Sequence, residues 1–551
     1  MRRLLWLCLA LAAIGWLEFE IFPGHTYLHS ATQIYLPMLE RMDSPGYLSR
    51  DLVATNPNVS YTIYDEVTLF LHREARLGFQ RALEGQQFIF RLAGLVGVFL
   101  LARATGLGDA FSLLTAGLVN WGATLPGPAV YTVNTEPVPM AFACGATLLA
   151  AGLLAAAKPL LSALAGAVAL LYDPIIAAPF WAIVVLAFFF DRPSRKMLRP
   201  LLPILLVSIL LLANMAQLQP QMAADQTFFA RLSERAAELQ QSRTPYAWFS
   251  PWRHEMWPYL ALAVFGTWAA ARTWPRLNHP ARWLVAGMGF AGIVSVFFSY
   301  LLVDVARLAI AAALQPSRML VFTVLFTSLA CALAAVEAVM RRRRWEALGW
   351  FAVVVALPLN AQLFDFVCIF DRNHAARFAL CLAVAVLVTW TARAQSKRRL
   401  LPIAFLAATA ALAMAVNGGR PSPSDESRNS VIELANWAEQ NTWGGSLFLF
   451  PDAGRELYPG VFRARSRRAL WVDWKSGMLA ASFQPVALEW FDRWQGSMEG
   501  AFSRGRLESM LSLPIDYYVV KSAHRLPGMR TAFRNQEFYV YDAQDLKYPR
   551  R

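Results

Sequence analysis

The chain has 551 residues, 57% of them hydrophobic and 16% charged, with a mean hydropathy of +0.38. That is more apolar sequence than a soluble core of this size uses, which excludes an ordinary soluble enzyme and points to a polytopic α-helical membrane protein. The net charge of +14 lies in short basic blocks between apolar runs, a pattern of membrane topology rather than of a nucleic-acid partner.

Arg2 and Arg3 lead into an apolar run at 4–22. It reads as a first transmembrane helix (1–22) rather than a cleaved signal peptide, because it continues to Phe22 and the small-residue site Ala10-Leu11-Ala12 falls too early. Residues 23–87 then form a first extracytosolic loop that includes HSATQIYLPMLERMDSPGYLSRDL. Within it Ile34, Leu36, Met38, Leu39 and Met42 recur at the spacing of a short helix lying on the membrane surface.

Further apolar runs follow near 88–104, 108–124, 137–156, 159–172, 174–190, 199–216, 257–271, 282–303, 318–340, 346–366, 377–393 and 400–416. With the first they give about thirteen crossings, and the bundle proper occupies 88–416 with an outer loop at 217–256. The runs at 159–172 and 174–190 are separated only by Tyr172-Asp173-Pro174 and could be two helices or one broken helix. Lys158, the clusters at 192–199 and 272–282, Arg341 to Arg344 and the block at 393–399 all fall on one side if the N-terminus is cytoplasmic. An odd number of crossings then places the C-terminal region outside.

Residues 417–427, NGGRPSPSDES, read as a linker. Beyond it, 428–551 carries helical spacing in VIELANWAEQ and VALEWFDRW, and strand patterns in SLFLF, ALWVDW, IDYYVV and EFYVYD. A small α/β extracytosolic domain is expected there. The five cysteines all lie in apolar stretches without CxxC spacing and read as core residues.

The outer face collects charge of both signs. Glu18 and Glu20 close the first helix, Glu40, Asp43, Asp51, Asp65 and Glu66 follow in the loop, and Glu136, Asp173, Asp304, Asp365 and Asp371 mark later boundaries. Arg253, His254, Arg307, Arg318, Arg372 and His374 share that face. Charge at a bilayer boundary is costly unless it is paired, hydrated or functional. Carboxylates that accept or orient a hydroxyl proton, beside arginines that neutralise a departing phosphate, suit glycosyl transfer from a lipid-linked donor. No Walker loop, strand-linked GxGxxG or HExxH pair is present, so the cofactor is left unknown, with no metal residues assigned and a divalent metal still possible.

The first helix followed by an acidic outer loop, TEPVP opening a later helix, LYDP after a Gly/Ala-rich helix, LQPSR before another, and an outer terminal domain together resemble the C-type glycosyltransferase superfamily. Stretches such as WAEQNT, FRARSRRALWVDWK and LEWFDRW are similar to uncharacterised bacterial membrane proteins related to it. The resemblance implies a multi-pass fold in the bacterial inner membrane, a periplasmic C-terminal domain, a polyprenyl-phosphate-linked sugar donor, a glycan or lipid acceptor, and a catalytic acid in the first outer loop. The paired acidic motif common soon after the first crossing is represented here only by Glu18-Phe19-Glu20 and, much later, Asp65-Glu66.

Glu20, Asp51 and Glu18 are the expected catalytic acids, and Arg318, Arg307, Arg253, His254 and Glu136 the expected phosphate and substrate contacts. A non-catalytic scaffold or glycolipid-binding relative in envelope polysaccharide assembly is the alternative, as is a lipid-linked sugar transporter. The FRARSRRALWVDWK segment mixes Arg463, Arg465, Arg467 and Arg468 with Trp471, Trp474 and Lys475, a composition suited to sugar stacking, to anionic headgroups or to a plain turn and strand.

Overall fold

The computed structural model describes residues 2–125, 127–217, 230–357, 374–394, 429–482 and 484–548. The expected crossing at 400–416, the outer part of 346–366, the linker 417–427 and the boundary charges Asp365, Asp371 and Arg372 lie outside these ranges.

Helix α1 (Arg2–Glu20) leads into a loop that folds as α2 (Thr32–Asp43) and α3 (Tyr64–Arg73). The expected face of α2 is the one that packs, with Ile34, Leu36, Met38 and Leu39 all buried. Helix α4 (Phe79–Ala104) starts well before the apolar run at 88. Its first turns contain the buried amides Gln86 and Gln87, which hydropathy reads as loop but whose NH₂ groups both find partners in the fold. Gln86 donates to Thr68 Oγ1 at 3.0 Å and accepts from the Tyr172 hydroxyl at 2.9 Å, while Gln87 donates to the Thr135 carbonyl at 2.7 Å.

Next come α5 (Asp109–Asn120), a two-residue hairpin of β1 (Thr124–Leu125) and β2 (Val130–Tyr131), and α6 (Pro139–Ala155). Helices α4 and α6 meet backbone to backbone through glycines. A Cβ on Gly145 would stand 2.1 Å from the Phe90 carbonyl oxygen, and one on Gly97 2.2 Å from that of Leu148. Small residues at such seams allow the close approach on which helix association in a bilayer depends.

The stretch 159–190 is two helices, α7 (Pro159–Tyr172) and α8 (Pro174–Phe190). Asp173 separates them in an extended conformation and caps α8, accepting from the Ile175 and Ile176 amides, with Pro174 at the first helical position. Then follow α9 (Arg192–Leu198) and α10 (Leu201–Gln217), and the helices Glu234–Arg243, Met256–Thr273, His279–Ser299, Leu320–Met340, Arg344–Ala356 and His374–Ala394.

By length and apolarity, three described stretches can cross a bilayer unaided: Phe79–Ala104, His279–Val305 and Ala309–Met340. The pair α9 and α10, bent by 59°, makes a fourth if it is one span. Pro139–Ala155, Pro159–Tyr172 and Pro174–Phe190 are apolar but shorter. The expected crossings are thus helical where described, but unequal in reach.

The C-terminal region is a mixed five-stranded sheet in the order β4-β3-β5-β7-β6, built from β3 (Leu447–Leu449), β4 (Ala469–Leu470), β5 (Tyr517–Lys521), β6 (Phe533–Arg534) and β7 (Phe538–Asp542). β3 pairs in parallel with β4 and β5, and β5–β7–β6 are antiparallel. Helices Asn429–Asn441, Tyr458–Ser466 and Gln484–Ser497 accompany it. The inner residues Phe448, Val519 and Val540 have no solvent exposure.

The glycine seam gives a direct expectation. Gly145→Val must drive α4 and α6 apart, an overpacking cost of about 1–3 kcal/mol or more, visible as a lowered melting temperature of the detergent-solubilised protein.

Candidate functional site

A cavity of ≈ 340 Å³ lies where the first loop, the segment after β2, the α7–α8 junction, the start of the Leu320–Met340 helix and the C-terminal region meet. Two carboxylates line it, Glu136 and Asp173, with three cations, Arg243, Arg318 and Lys475, and the phenols of Tyr35, Tyr131 and Tyr246.

The two carboxylates are held differently. Glu136 faces the start of α2, where its oxygens accept from the Ser30 and Ala31 amides at 2.7 Å each and from Thr32 Oγ1 at 2.5 Å. A carboxylate at a helix N-terminus meets unpaired amides and the positive end of the dipole, so Glu136 fixes the loop in place. Asp173 uses only Oδ1 in capping α8, at 3.0 and 3.1 Å from the amides of Ile175 and Ile176. Burial raises the pKa of its carboxyl, and the positive charge of Arg318 and the two capping amides oppose that rise.

The cations come from three parts of the chain. Arg318 stands in a 3₁₀ turn, Pro316–Met319, entered through Gln315 in the left-handed region at φ 51°. Its Nε is buried and has no hydrogen-bond partner among the described residues. Arg243 ends the helix Glu234–Arg243. Its guanidinium lies 4.2 Å from the Trp474 ring and donates to the Trp474 carbonyl at 2.7 Å, and its Nε is likewise buried without a partner among the described residues. Lys475 donates to Ser30 Oγ. Burial pushes its amine down to about 8, against the pull of Glu136 and with the repulsion of Arg243.

Lys475 reaches the cavity because the C-terminal sheet region is docked onto the first loop. Arg463, 1% exposed, donates to Asp473 Oδ1 at 3.0 Å, Ser476 Oγ at 3.1 Å and the Gln33 carbonyl at 3.0 Å, and lies 3.7 Å from Asp51 Oδ2. Asp51 in turn accepts from the amides of Val53 and Ala54 in its own loop and of Leu470 at 2.9 Å. Gln240 donates to the Ala480 carbonyl at 2.7 Å, tying the Glu234–Arg243 helix to the same region.

Of the residues expected from sequence, Glu136 and Arg318 line the cavity, and the other six do not. Asp51 is fully buried at the docking interface, a position invisible to a hydropathy reading because two of its partners, Arg463 and Leu470, lie more than four hundred residues away. Glu18 is buried between α1 and α5, accepting from Asn120 Nδ2 at 2.6 Å. Glu20 is half-buried at the end of α1. Arg253, His254 and Arg307 are exposed, and His254 stands 3.8 Å from Glu255. Asp65-Glu66 opens α3 away from the cavity. Asp173, Arg243, Lys475 and Tyr246 join the site from outside the expected set. LYDP and the Trp-Lys step of FRARSRRALWVDWK were the available signals. Of the arginines in that segment, Arg463 serves docking, Arg467 pairs with Glu439 at 2.5 Å, and Arg468 donates to the carbonyls of Glu439 and Thr442. Among the described residues no three His, Cys, Asp or Glu side chains group as metal ligands.

Among solved structures, the chain overlays ArnT from Cupriavidus metallidurans in the apo state with a TM-score of 0.50 at 15% identity, covering 98% of each chain. A lower overlap, TM-score 0.44 at 12% identity over 94% of this chain and 69% of the other, is found with the Archaeoglobus fulgidus oligosaccharyltransferase in the apo form. The likeness of fold rests on the first of these. No protein-family model and no curated protein sequence matches the chain.

Docking through a buried arginine sets an expected cost. Arg463→Met leaves Asp51 and Asp473 buried without their cation, which destabilises by about 3–5 kcal/mol. Chemical unfolding of the solubilised protein measures it, with exposed Arg504→Met as the control that stays within about 1 kcal/mol.

Proposed function

We propose that this chain, which has the C-type glycosyltransferase fold, is a membrane glycosyltransferase that moves a sugar from a polyprenyl-phosphate-linked donor to a glycan or lipid hydroxyl. In this reading the site opens on the periplasmic face of the bacterial inner membrane, with the N-terminus cytoplasmic and the C-terminal region periplasmic. The observation that carries it is the cavity itself: three cations and two carboxylates brought together from the helix bundle, the Glu234–Arg243 helix and the C-terminal region, with two buried guanidinium Nε atoms left without partners among the described residues.

Arg318, Arg243 and Lys475 are placed to hold the donor phosphate by charge-assisted hydrogen bonds. The phosphate gains negative charge as its bond to the anomeric carbon breaks, so these donors stabilise the transition state more than the ground state. Asp173 is the base. Its Oδ2 takes no part in the cap, and burial favours the protonated form that it reaches in the reaction. The acceptor oxygen attacks the anomeric carbon, its proton passes to Asp173, and the bonding pair of the cleaved C–O bond leaves with the lipid phosphate. Glu136 keeps the Ser30–Thr32 turn, and with it Lys475, in register. A binding-only role is favoured by one observation, the full occupation of Glu136 by the α2 amides, and the same assay separates the two.

The assay is release of polyprenyl phosphate from polyprenyl-phosphate-linked sugars by the protein in nanodiscs containing envelope glycolipid. Asp173→Asn keeps the cap, since Asn serves as well there, so the melting temperature holds while turnover falls by roughly 10²–10⁴-fold. Unchanged turnover in that variant rejects Asp173 as base, and donor binding without any release by the wild type rejects the enzyme in favour of the binding role.

Lys475 adds a pH dependence. Its amine is charged below about 8 and neutral above, so donor affinity falls as pH rises through about 8. In Lys475→Arg, which stays charged, affinity holds across that range, as donor titrations at pH 7 and pH 9 will show.

A further inference from the structure

The opposite end of the bundle carries a second feature that glycosyl transfer does not use. An apolar slot of ≈ 460 Å³ runs between the consecutive helices Met256–Thr273 and His279–Ser299, with Leu320–Met340 as its floor. Ala263, Gly266, Ala270, Gly289 and Phe290 line it and Phe326 closes the back. A Cβ on Gly289 would meet nothing within 4 Å, and Phe290 is 68% exposed at the mouth. The slot is apolar along its lining and open at Phe290.

Its lower end is basic. Ala270, Ala271 and Pro275 line the slot and flank Arg272 and Arg276 in sequence, and Arg282 donates to the carbonyls of Pro275 and Leu277. Arg276 and Arg341 share Glu337, at 3.1 and 2.6 Å, and Arg272 and Arg343 share Glu346, Arg343 at 3.2 Å. Arg342 and Arg344 are exposed and have no carboxylate partner among the described residues. Seven arginines thus stand around two carboxylates, beside Trp345, which is 84% exposed in the manner of an interfacial anchor. This rim and Arg318 of the catalytic cavity lie at opposite ends of the 21-residue helix Leu320–Met340, about 31 Å apart at 1.5 Å per residue.

We propose that this slot and its basic rim form a binding site for one anionic glycerophospholipid of the bilayer, an acyl chain in the slot and the phosphate headgroup on the arginines. The chemistry selects the occupant. An apolar groove alone accepts any chain in the membrane, whereas surplus guanidinium charge at its end discriminates for an anionic headgroup, by about 1 kcal/mol per basic residue near the surface. On the topology proposed above the site faces the cytoplasmic leaflet. It is independent of the catalytic reading, since no residue of one belongs to the other.

Native mass spectrometry of the full chain, relipidated separately with phosphatidylglycerol, cardiolipin or phosphatidylcholine, tests it. The wild type is expected to keep one phosphatidylglycerol or cardiolipin at collision energies that strip phosphatidylcholine. The double variant Arg342→Gln/Arg344→Gln, which leaves the ion pairs with Glu337 and Glu346 intact, should lower that retention about tenfold or more, two charges at the per-residue value above. Gly289→Leu, which fills open space, should abolish it with every arginine present, and Ala286→Leu from the same helix is the second filler should the first not fold. Equal retention of phosphatidylcholine, or wild-type retention in a folded slot-filling variant, overturns the proposal. Loss in the arginine variant alone overturns it too, because surface charge without the slot would then suffice.

Discussion

The buried Arg463 cluster is the interaction on which the rest of the architecture depends. One guanidinium joins two aspartates, Asp51 from the first loop and Asp473 from the C-terminal region, and caps the Gln33 carbonyl between them. A charge cluster removed from water is seldom a net source of stability, but breaking it is expensive, so it acts as a selector of one docked arrangement. That arrangement carries Trp474 and Lys475, which follow directly on Asp473, to Arg243 and Ser30. The cavity is therefore a product of docking. Neither the membrane helices nor the sheet region contains it alone.

Inside the cavity, position separates groups of the same type. Glu136 and Asp173 both sit at helix N-termini, yet Glu136 spends both oxygens on the start of α2, while Asp173 spends one on α8. The cations divide similarly: Arg243 is braced by stacking on Trp474, Lys475 by Ser30, and Arg318 by its place in a short 3₁₀ turn. Groups fixed before a ligand arrives lose little freedom on binding it.

The helical segments were legible from the sequence because hydropathy and length report directly on burial in lipid. Tyr172-Asp173-Pro174 between two apolar runs left two helices or one broken helix open until the Asp173 cap was seen, whereas the C-terminal strands and helices stood out by their periodicity. The α4 start did not, because Gln86 and Gln87 look like loop residues until Thr68, Tyr172 and Thr135 are seen around them. The site was legible in kind more than in place. A concentration of acids and arginines at the segment boundaries was apparent, and Glu136 and Arg318 belong to the cavity. What one-dimensional reading lacks is partner geometry: Asp51 resembled a loop acid available for chemistry, yet its hydrogen bonds run to its own loop and to Leu470. Lys475, in a segment read as sugar stacking, headgroup contact or turn, becomes a cavity cation only through docking onto the first loop.

The most direct measurement is a cryo-EM map of the protein in nanodiscs saturated with a polyprenyl phosphate. The account places phosphate density within hydrogen-bonding distance of the Arg318 guanidinium and Lys475 Nζ, beside Asp173. Lipid phosphate bound elsewhere on the bundle, with that cavity holding only solvent, contradicts it.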